Sequence, residues 1–587
     1  MILQALNQYY ERLRKDPEVH VPEPGFAMQG VHFALHLAPD GELLQVHDLR
    51  ERDGKNLIPK RMELPHLGKK RTSGIEPNFL WDNTSYVFGA SSAKDNAKRL
   101  ANCRDDFLAL HRELAATAPS KAMDTLLGFL EAWGPEKAKG LDLWKEIADA
   151  NIVFRLDGEQ GYLHNREDLR KAWVEHWSTL DSKGHGYCLV TGTEGPVTSL
   201  HPGVKGVPGS QQAELSLVSF NKDAFESYGK EKSNNAPMCK QAAFAYTTAL
   251  NRLLRREHGR KVQIGDAATI FWTERDSPAE SFLGELMAPQ REDQAEDTAD
   301  ARKLRDFLET VRRGERPYWV DEPDLRFFIL GLAPNAARLS VRFWRVSTVG
   351  DILEKVGRHF RELSLVRQYD TQPEFPPQWM LVRETAAQRK LDNVPAPLAA
   401  AFMRAVLTGA DYPASLMATL IMRIRADHDV SYLRAAMIKA CLVRNHNREV
   451  SVSLDENRKD QGYLLGRLFA VLERAQEMAV PGANATIKDR FLGAASASPG
   501  RVFHVLLKNG EHHLAKLRKS EEKNERYWNF ELTKLIQDIV GEIDHFKPAL
   551  SQAEQGEFLI GYYHQRKKFF TKKDTAPETQ TAETTAE

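Results

Sequence analysis

Apolar and polar positions alternate from residue 26. Val31, Phe33, Leu35 and Leu37 fall on one side, His32, Ala34 and His36 on the other, and a Pro39-Asp40-Gly41 turn precedes a second apolar stretch over 43–46. A period of two interrupted by a turn predicts a β-hairpin. Further short strands are expected at 187–190, 215–220, 268–272, 327–330 and 339–344. Asn234-Asn235-Ala236-Pro237 is helix-start chemistry, and Ala243, Tyr246, Leu250, Leu253 and Leu254 follow at helical spacing. Beyond the proline-rich 373–377 segment the strand signal fades. Apolar residues then recur at steps of three and four over 415–425, 431–444, 463–476 and 528–546. The last of these carries Trp528, Leu532, Leu535, Ile539, Ile543 and Phe546 on one stripe, which needs partner helices to cover it. The expected class is α+β: a mixed strand and helix N-terminal region followed by an all-helical C-terminal bundle. The expected divisions are 1–350, a helical connecting region 351–478, a terminal bundle 479–570 and a tail, 571–587, without apolar periodicity and expected to be disordered.

With 587 residues, 42% of them hydrophobic, the chain can bury several cores. It contains no apolar run of about 18 residues and no signal-like start, so a cytoplasmic protein away from the membrane is expected. Cys103, Cys188, Cys239 and Cys441 stand far apart without a C-x-x-C pair, which predicts idle thiols, not a zinc ribbon or a disulfide framework. Lys plus Arg and Asp plus Glu both number 81. Any electrostatic footprint must therefore be local. Six cations, Lys55, Lys60, Arg61, Lys69, Lys70 and Arg71, face only Glu63 between 55 and 71, while acids gather over 292–300. None of the phosphate-loop, zinc-protease, nucleophile-elbow or deaminase signatures is present, which lowers an enzymatic reading; no cofactor and no metal site is expected. His512-His513 lacks a His, Cys or acid partner at ligand spacing.

The densest candidate chemistry lies in Lys69-Lys70-Arg71-Thr72-Ser73-Gly74 and the Asn78, Asp82-Asn83 and Tyr86-Val87-Phe88-Gly89 residues after it. Three adjacent cations on a Ser-Gly turn suit phosphates, Gly74 allows close backbone approach, and Thr72, Ser73, Asn78 and Asn83 can reach base edges or sugars. Asn83 is equally suited to cap the turn before Tyr86. Lys232, Asn234 and Asn235 form a second polar loop that can flank a duplex, with Asn235 capping the next helix as the alternative. In the terminal bundle Arg490, Arg501, Lys508, Lys516, Arg518, Lys519, Lys523 and Arg526 outnumber local acids, a bias that suits a groove along one strand or a solvated face paired to Glu511, Glu521, Glu522 and Glu525. Tyr228, Tyr246, Trp272 and Trp344 read as core aromatics more readily than as stacking platforms.

Several unusual segments follow in order: Cys188-Leu189-Val190-Thr191-Gly192, His201-Pro202-Gly203-Val204-Lys205-Gly206-Val207, Val218-Ser219-Phe220-Asn221, Ser227-Tyr228-Gly229, Ala249-Leu250-Asn251-Arg252-Leu253-Leu254, Leu330-Gly331-Leu332-Ala333-Pro334-Asn335, Val341-Arg342-Phe343-Trp344, Tyr463-Leu464-Leu465-Gly466-Arg467-Leu468-Phe469, Ala495-Ser496-Ala497-Ser498-Pro499 and Gly561-Tyr562-Tyr563-His564-Gln565. With the 69–89 stretch, this ordered set closely resembles the large subunit of the type I-C CRISPR Cascade complex, the Cas-eight-c family, from Met1 to about Lys573. The resemblance implies a non-enzymatic subunit of an RNA-guided antiviral complex in the bacterial cytoplasm. Its implied partners are double-stranded target DNA, crRNA, the Cascade backbone and crRNA-processing subunits, a small subunit, and the Cas-three nuclease-helicase that it recruits. It implies recognition of a short protospacer-adjacent motif (PAM), typically of TTC type, and help in opening the duplex, while guide pairing reads the long sequence. It also implies a C-terminal part that resembles a small subunit and is made separately from an internal start; a product begun at Met478, the last methionine, is expected to hold the whole terminal bundle.

Overall fold

A computed structural model of the chain describes residues 1–53, 56–68, 74–93, 97–180, 184–198, 200–210, 214–220, 222–255, 259–264, 267–278, 280, 284, 299–315, 317 and 322–570. The fold is α+β, mixed in the N-terminal half and helical in the C-terminal half. Contacts divide the chain into two units, Met1–His258 with Leu330–Trp344, and Gly259–Ile329 with Arg345–Glu587.

The first unit is built on the alternating stretch. Phe33–Leu37 pairs antiparallel with Leu43–Asp48, and Gly41, at φ +87°, donates its N–H to Ala38 in the turn. The other edge of Phe33–Leu37 runs parallel to Asn151–Leu156, which pairs in turn with the short Trp81–Asn83 strand. Residues 26–37 do not form one continuous strand. At His32 the backbone leaves the ladder to bond Asn151 and Leu49, so Phe26–Val31 pairs separately with Lys60–Pro65 as a ribbon. Val31, Ala34, Leu64, Trp81 and Val153 close into one buried cluster where ribbon and sheet meet. The Lys121–Ala132 helix covers the Phe33–Leu37 strand, and Ile2–Lys15 packs on Lys240–Leu253.

Two expected strands of this unit form differently. The 187–190 strand is Gly184–Tyr187 paired with Glu194–Val197; Leu189 to Thr191 turn instead, because Gly192 at φ +73° returns its N–H to the Cys188 carbonyl. Over 215–220 only Leu215 and Ser216 form isolated bridges, to Val204 and Arg338, because no neighbour runs alongside for more than one residue. The turn also brings Cys188 beside Cys239, although 51 residues separate them in the sequence. Both remain free thiols. Burial pushes the Cys188 thiol up, but hydrogen bonds from Thr191 and from backbone N–H groups outweigh it and bring it down to about 7.

Lys261–Ile264, Ala267–Thr273, Arg326–Asn335 and Arg338–Thr348 form a four-stranded sheet in chain order, and every residue of Ala267–Thr273 is buried. The helices Ala414–Asp427, Tyr432–His446 and Gln461–Ala479 lie within a few residues of expectation. Gln461–Ala479 is the centre of the helical half and packs on Pro499–Arg518, Lys523–Gly541 and Gln552–Phe570. Segments 351–478 and 479–570 are thus packed together, and a product begun at Met478 would lack the helix on which the terminal helices close. The expected 528–546 helix is Lys523–Gly541. Leu532 and Ile539 are buried within it, whereas Phe546 lies past its end and stacks on Phe503 at 5.4 Å. The tail 571–587 lies outside the described residues.

Candidate nucleic-acid interface

The cations Lys69, Lys70 and Arg71, with Thr72 and Ser73, lie outside the described residues, but both flanks of their loop are placed. Gly68 on one side and Glu76, Asn78 and Trp81 on the other line a cleft of about 410 Å³ in the first unit, completed by Phe26, Gln29, Pro202, Gly203, Lys205, Thr248 and Asn251. The downstream flank is firmly held. Leu80, at φ +61°, donates its N–H to Nε2 of His111 at 3.0 Å, while His111 Nδ1 bonds the Phe107 carbonyl at 2.7 Å. Burial lowers the His111 pKa to about 4, so the ring is neutral and one nitrogen is free to accept. Trp81 Nε1 donates to the Pro65 carbonyl at 2.7 Å, and the buried Asp82 carboxylate accepts the N–H groups of Asn78 and Asn83 at 2.9 and 2.8 Å.

Asn78 is buried at the cleft wall and Gly74 is exposed, with open space where a Cβ would stand. Asn83 caps the Thr84–Val87 turn, its Oδ1 accepting Ser85 N–H at 3.0 Å. Across the cleft, Asn251 ties down the 201–205 loop by accepting the Lys205 N–H at 2.7 Å and donating to the Gly203 carbonyl at 3.2 Å. His201 Nδ1 bonds the Tyr246 hydroxyl at 2.8 Å, and burial lowers its pKa to about 4. The result is a cleft with preset walls and mixed polar edges. Gln29 and Thr248 carried no sequence signal, and Asn251 entered only within the 249–254 segment with no role at a site, because the cleft is assembled from four separate segments.

The second predicted loop is a 3₁₀ turn, Lys232–Asn235. Asn235 does not cap the following helix, which starts at Lys240 with Cys239 as its cap. Instead its side chain accepts the Ser227 N–H at 2.9 Å and donates to the Lys230 and Lys232 carbonyls at 2.6 and 2.9 Å. Asn234 packs near Gly184, and Lys232, at φ +50°, is exposed. This clamp holds up the Tyr228-Gly229 turn, where Tyr228 sits at φ +56° and is 99% exposed. That reverses the core expectation for Tyr228. Tyr246 and Trp272 are fully buried, as core aromatics are, and Trp344 is half-buried.

All eight cations of the terminal helices are exposed. Among the described residues none of them forms an ion pair with Glu511, Glu521, Glu522 or Glu525, although Arg526 donates to the Glu521 backbone carbonyl at 3.5 Å. Arg501, Lys508, Lys516 and Lys519 fall on one side of the Pro499–Arg518 helix and its cap, opposite the buried Phe503, Leu506, Leu514 and Leu517. Arg490 lies on Ile487–Ala497, Arg518 ends its helix, and Lys523 and Arg526 open Lys523–Gly541. Among the described residues no three His, Cys, Asp or Glu side chains gather to hold a metal, and no helix is long and apolar enough to cross a membrane.

A search of curated proteins returns no match. Residues 6–570 match the model of the family described as CRISPR-associated protein (Cas_Csd1), a span that takes in the loop flanks, the clamped turn and the basic helix face, and the chain belongs to that family of CRISPR-associated proteins.

Proposed function

We propose that this chain is the large, non-catalytic subunit of a type I-C Cascade complex, where it recognises the PAM on double-stranded DNA, helps open the duplex and recruits the Cas-three nuclease-helicase. The observation that carries this reading is the cleft bounded by both flanks of the Lys69 to Ser73 loop, its far flank held by Leu80, Trp81 and Asp82. A reader of a few base pairs needs cations that neutralise phosphate and fixed polar edges that meet bases. Lys69, Lys70 and Arg71 supply the first; Thr72, Ser73 and Asn78 supply the second. A neutral chain can depend on such a local patch when guide RNA and partner subunits contribute the remaining affinity. The unpaired basic face of Pro499–Arg518 serves the displaced strand.

The test is binding of the reconstituted complex, with guide RNA and backbone subunits, to duplexes with or without a TTC motif. Replacing Lys69, Lys70 and Arg71 with Glu should abolish motif-dependent binding, and neutralising each in turn should lower the log–log salt slope by about 0.9 per phosphate contact. Binding that ignores the motif in the wild type would overturn the reading; binding that keeps its motif dependence in the triple variant would move the site to another loop.

A further inference from the structure

A second cleft, of about 410 Å³, opens in the second unit between the 367–372 turn, the start of Ile487–Ala497 and the end of Gln552–Phe570. Its volume lies in the range of pockets that bury small ligands, roughly 300–1,000 Å³. Two aromatic rings stand at its edge, Tyr369 at 62% exposure and Phe570 at 59%. Isolated exposed aromatics are ordinary surface features; here the backbone turn that carries Tyr369 and the ring of Phe570 are held in place.

The Tyr369 turn is fastened from both sides. Gln372 Oε1 accepts the N–H groups of Gln368 and Tyr369 at 2.8 and 3.2 Å, and Arg367 donates to the carbonyls of Asp370 and Gln372 at 3.0 Å each. Two guanidinium groups, of Arg474 and Arg566, each lie 5.2 Å from the centre of the Phe570 ring. Arg566 is itself fixed by paired bonds to Glu477, both 2.9 Å. Lys567 ties the helix end to the Tyr369 turn through the Gln368 carbonyl at 2.9 Å, as Tyr563 does through the Val366 carbonyl at 2.7 Å. Cations line the same cleft: Lys488, Arg566 and Lys567, while its one acid, Asp429, is paired to Arg389.

We propose that this cleft binds an unpaired nucleotide of a single strand, a base stacking on Tyr369 or Phe570 and its phosphate meeting Lys488 and Lys567. Rings ordered before binding lose little freedom when a base stacks on them, and a stacking platform beside cations takes any base because every base has a π-face. The inference rests on the reading that the chain works on nucleic acid, but it concerns a different unit and a different ligand form from the PAM cleft.

The experiment uses the full chain and three probes, a 12-nucleotide oligo-dT, the matching oligo-U and free dTMP, followed by anisotropy and competition. In parallel, oligo-dT carrying 5-iodo-deoxyuridine is photo-crosslinked to the wild type and the modified residues are mapped. The expected result is crosslinking at Tyr369 or Phe570, and single-strand binding weakened about tenfold or more in the Tyr369→Ala/Phe570→Ala variant. Tyr369→Phe/Phe570→Tyr should retain it. DNA and RNA strands competing equally would assign a general single-strand site, preference for one would name the source, and competition by dTMP would show that one nucleotide suffices. Crosslinks confined to other residues, an alanine variant within about twofold of wild type, or no strand binding at all would overturn the proposal. Motif-dependent duplex binding in the reconstituted complex should be the same in wild type and alanine variant, so failure of the cleft and failure of the PAM reading are read separately.

Discussion

A heavily committed residue of the second unit is Glu362, 5% exposed. Its Oε2 accepts from Arg444 Nε at 2.7 Å and from the Tyr412 hydroxyl at 3.0 Å and forms an ion pair with Arg444 Nη2 at 2.6 Å, and its Oε1 meets Arg358 at 2.8 Å. Arg444 Nη1 donates to the Ala405 and Ala410 carbonyls, and the guanidinium lies 3.9 Å over the ring of Tyr412, whose hydroxyl bonds His359 Nδ1 at 2.7 Å. Four elements therefore meet on one buried charge pair. Removing one partner of such a pair leaves the other charge desolvated and alone, which costs about 3–5 kcal/mol. Glu362→Gln should lower stability by that amount in denaturant titration. Loss of less than about 1 kcal/mol would mean that water reaches Arg444.

At the scale of elements, two of the segments that gave the chain its family resemblance prove to be one contact. Tyr463 to Phe469 lies on Gln461–Ala479 and Gly561 to Gln565 on Gln552–Phe570, the most extensive helix pair among the described residues. A Cβ on Gly466 would stand 1.9 Å from the Phe558 carbonyl oxygen, and one on Gly561 2.2 Å from that of Tyr463. The helices cross backbone to backbone, and only glycine fits. Polar side chains lock the crossing: Tyr463 to His564 at 3.0 Å, Arg467 to Gln565 at 3.1 Å, and Tyr562 to Glu473 at 2.7 Å. Gly466→Ala should cost about 3 kcal/mol, the upper end for overpacking, measured as a fall in thermal midpoint. A fragment beginning at Met478 exposes this surface and should self-associate in size-exclusion chromatography, whereas one beginning before Gln461 should run as a monomer. Equal behaviour of the two fragments would show that the terminal helices close without Gln461–Ala479.

For the molecule as a whole, buried histidines set an acid limit. Burial, aided by Arg170 at His164, by Arg444 at His359 and by Arg458 and Lys439 at His564, lowers the pKa to about 4 at His111, His201 and His564 and to about 3 at His164 and His359. Below the unfolded value of about 6.5 the unfolded chain binds protons that the folded chain does not. Stability is therefore complete above about pH 6.5, falls as the pH drops toward 4, and levels off below the folded values. Thermal midpoints at intervals from pH 7.5 to 4.5 should show that fall, and His201→Gln should make it shallower. A midpoint independent of pH over this range would contradict the burial of these rings.

Hydropathy alone determined what depends on neighbours in the chain: the hairpin through Gly41, the helix after Pro237 and the helical second half, since turn chemistry and periodicity are local. It located the basic loop and the terminal cations, because charge is read directly from composition. Only the tertiary structure decided what depends on residues distant in sequence. The parallel pairing of Phe33–Leu37 with Asn151–Leu156 and the meeting of Cys188 with Cys239 join positions with no common periodicity. The same holds for the cleft built from four segments and for Tyr228 at the tip of a turn clamped by Asn235, since exposure and close approach belong to the packed chain and to no stretch of it.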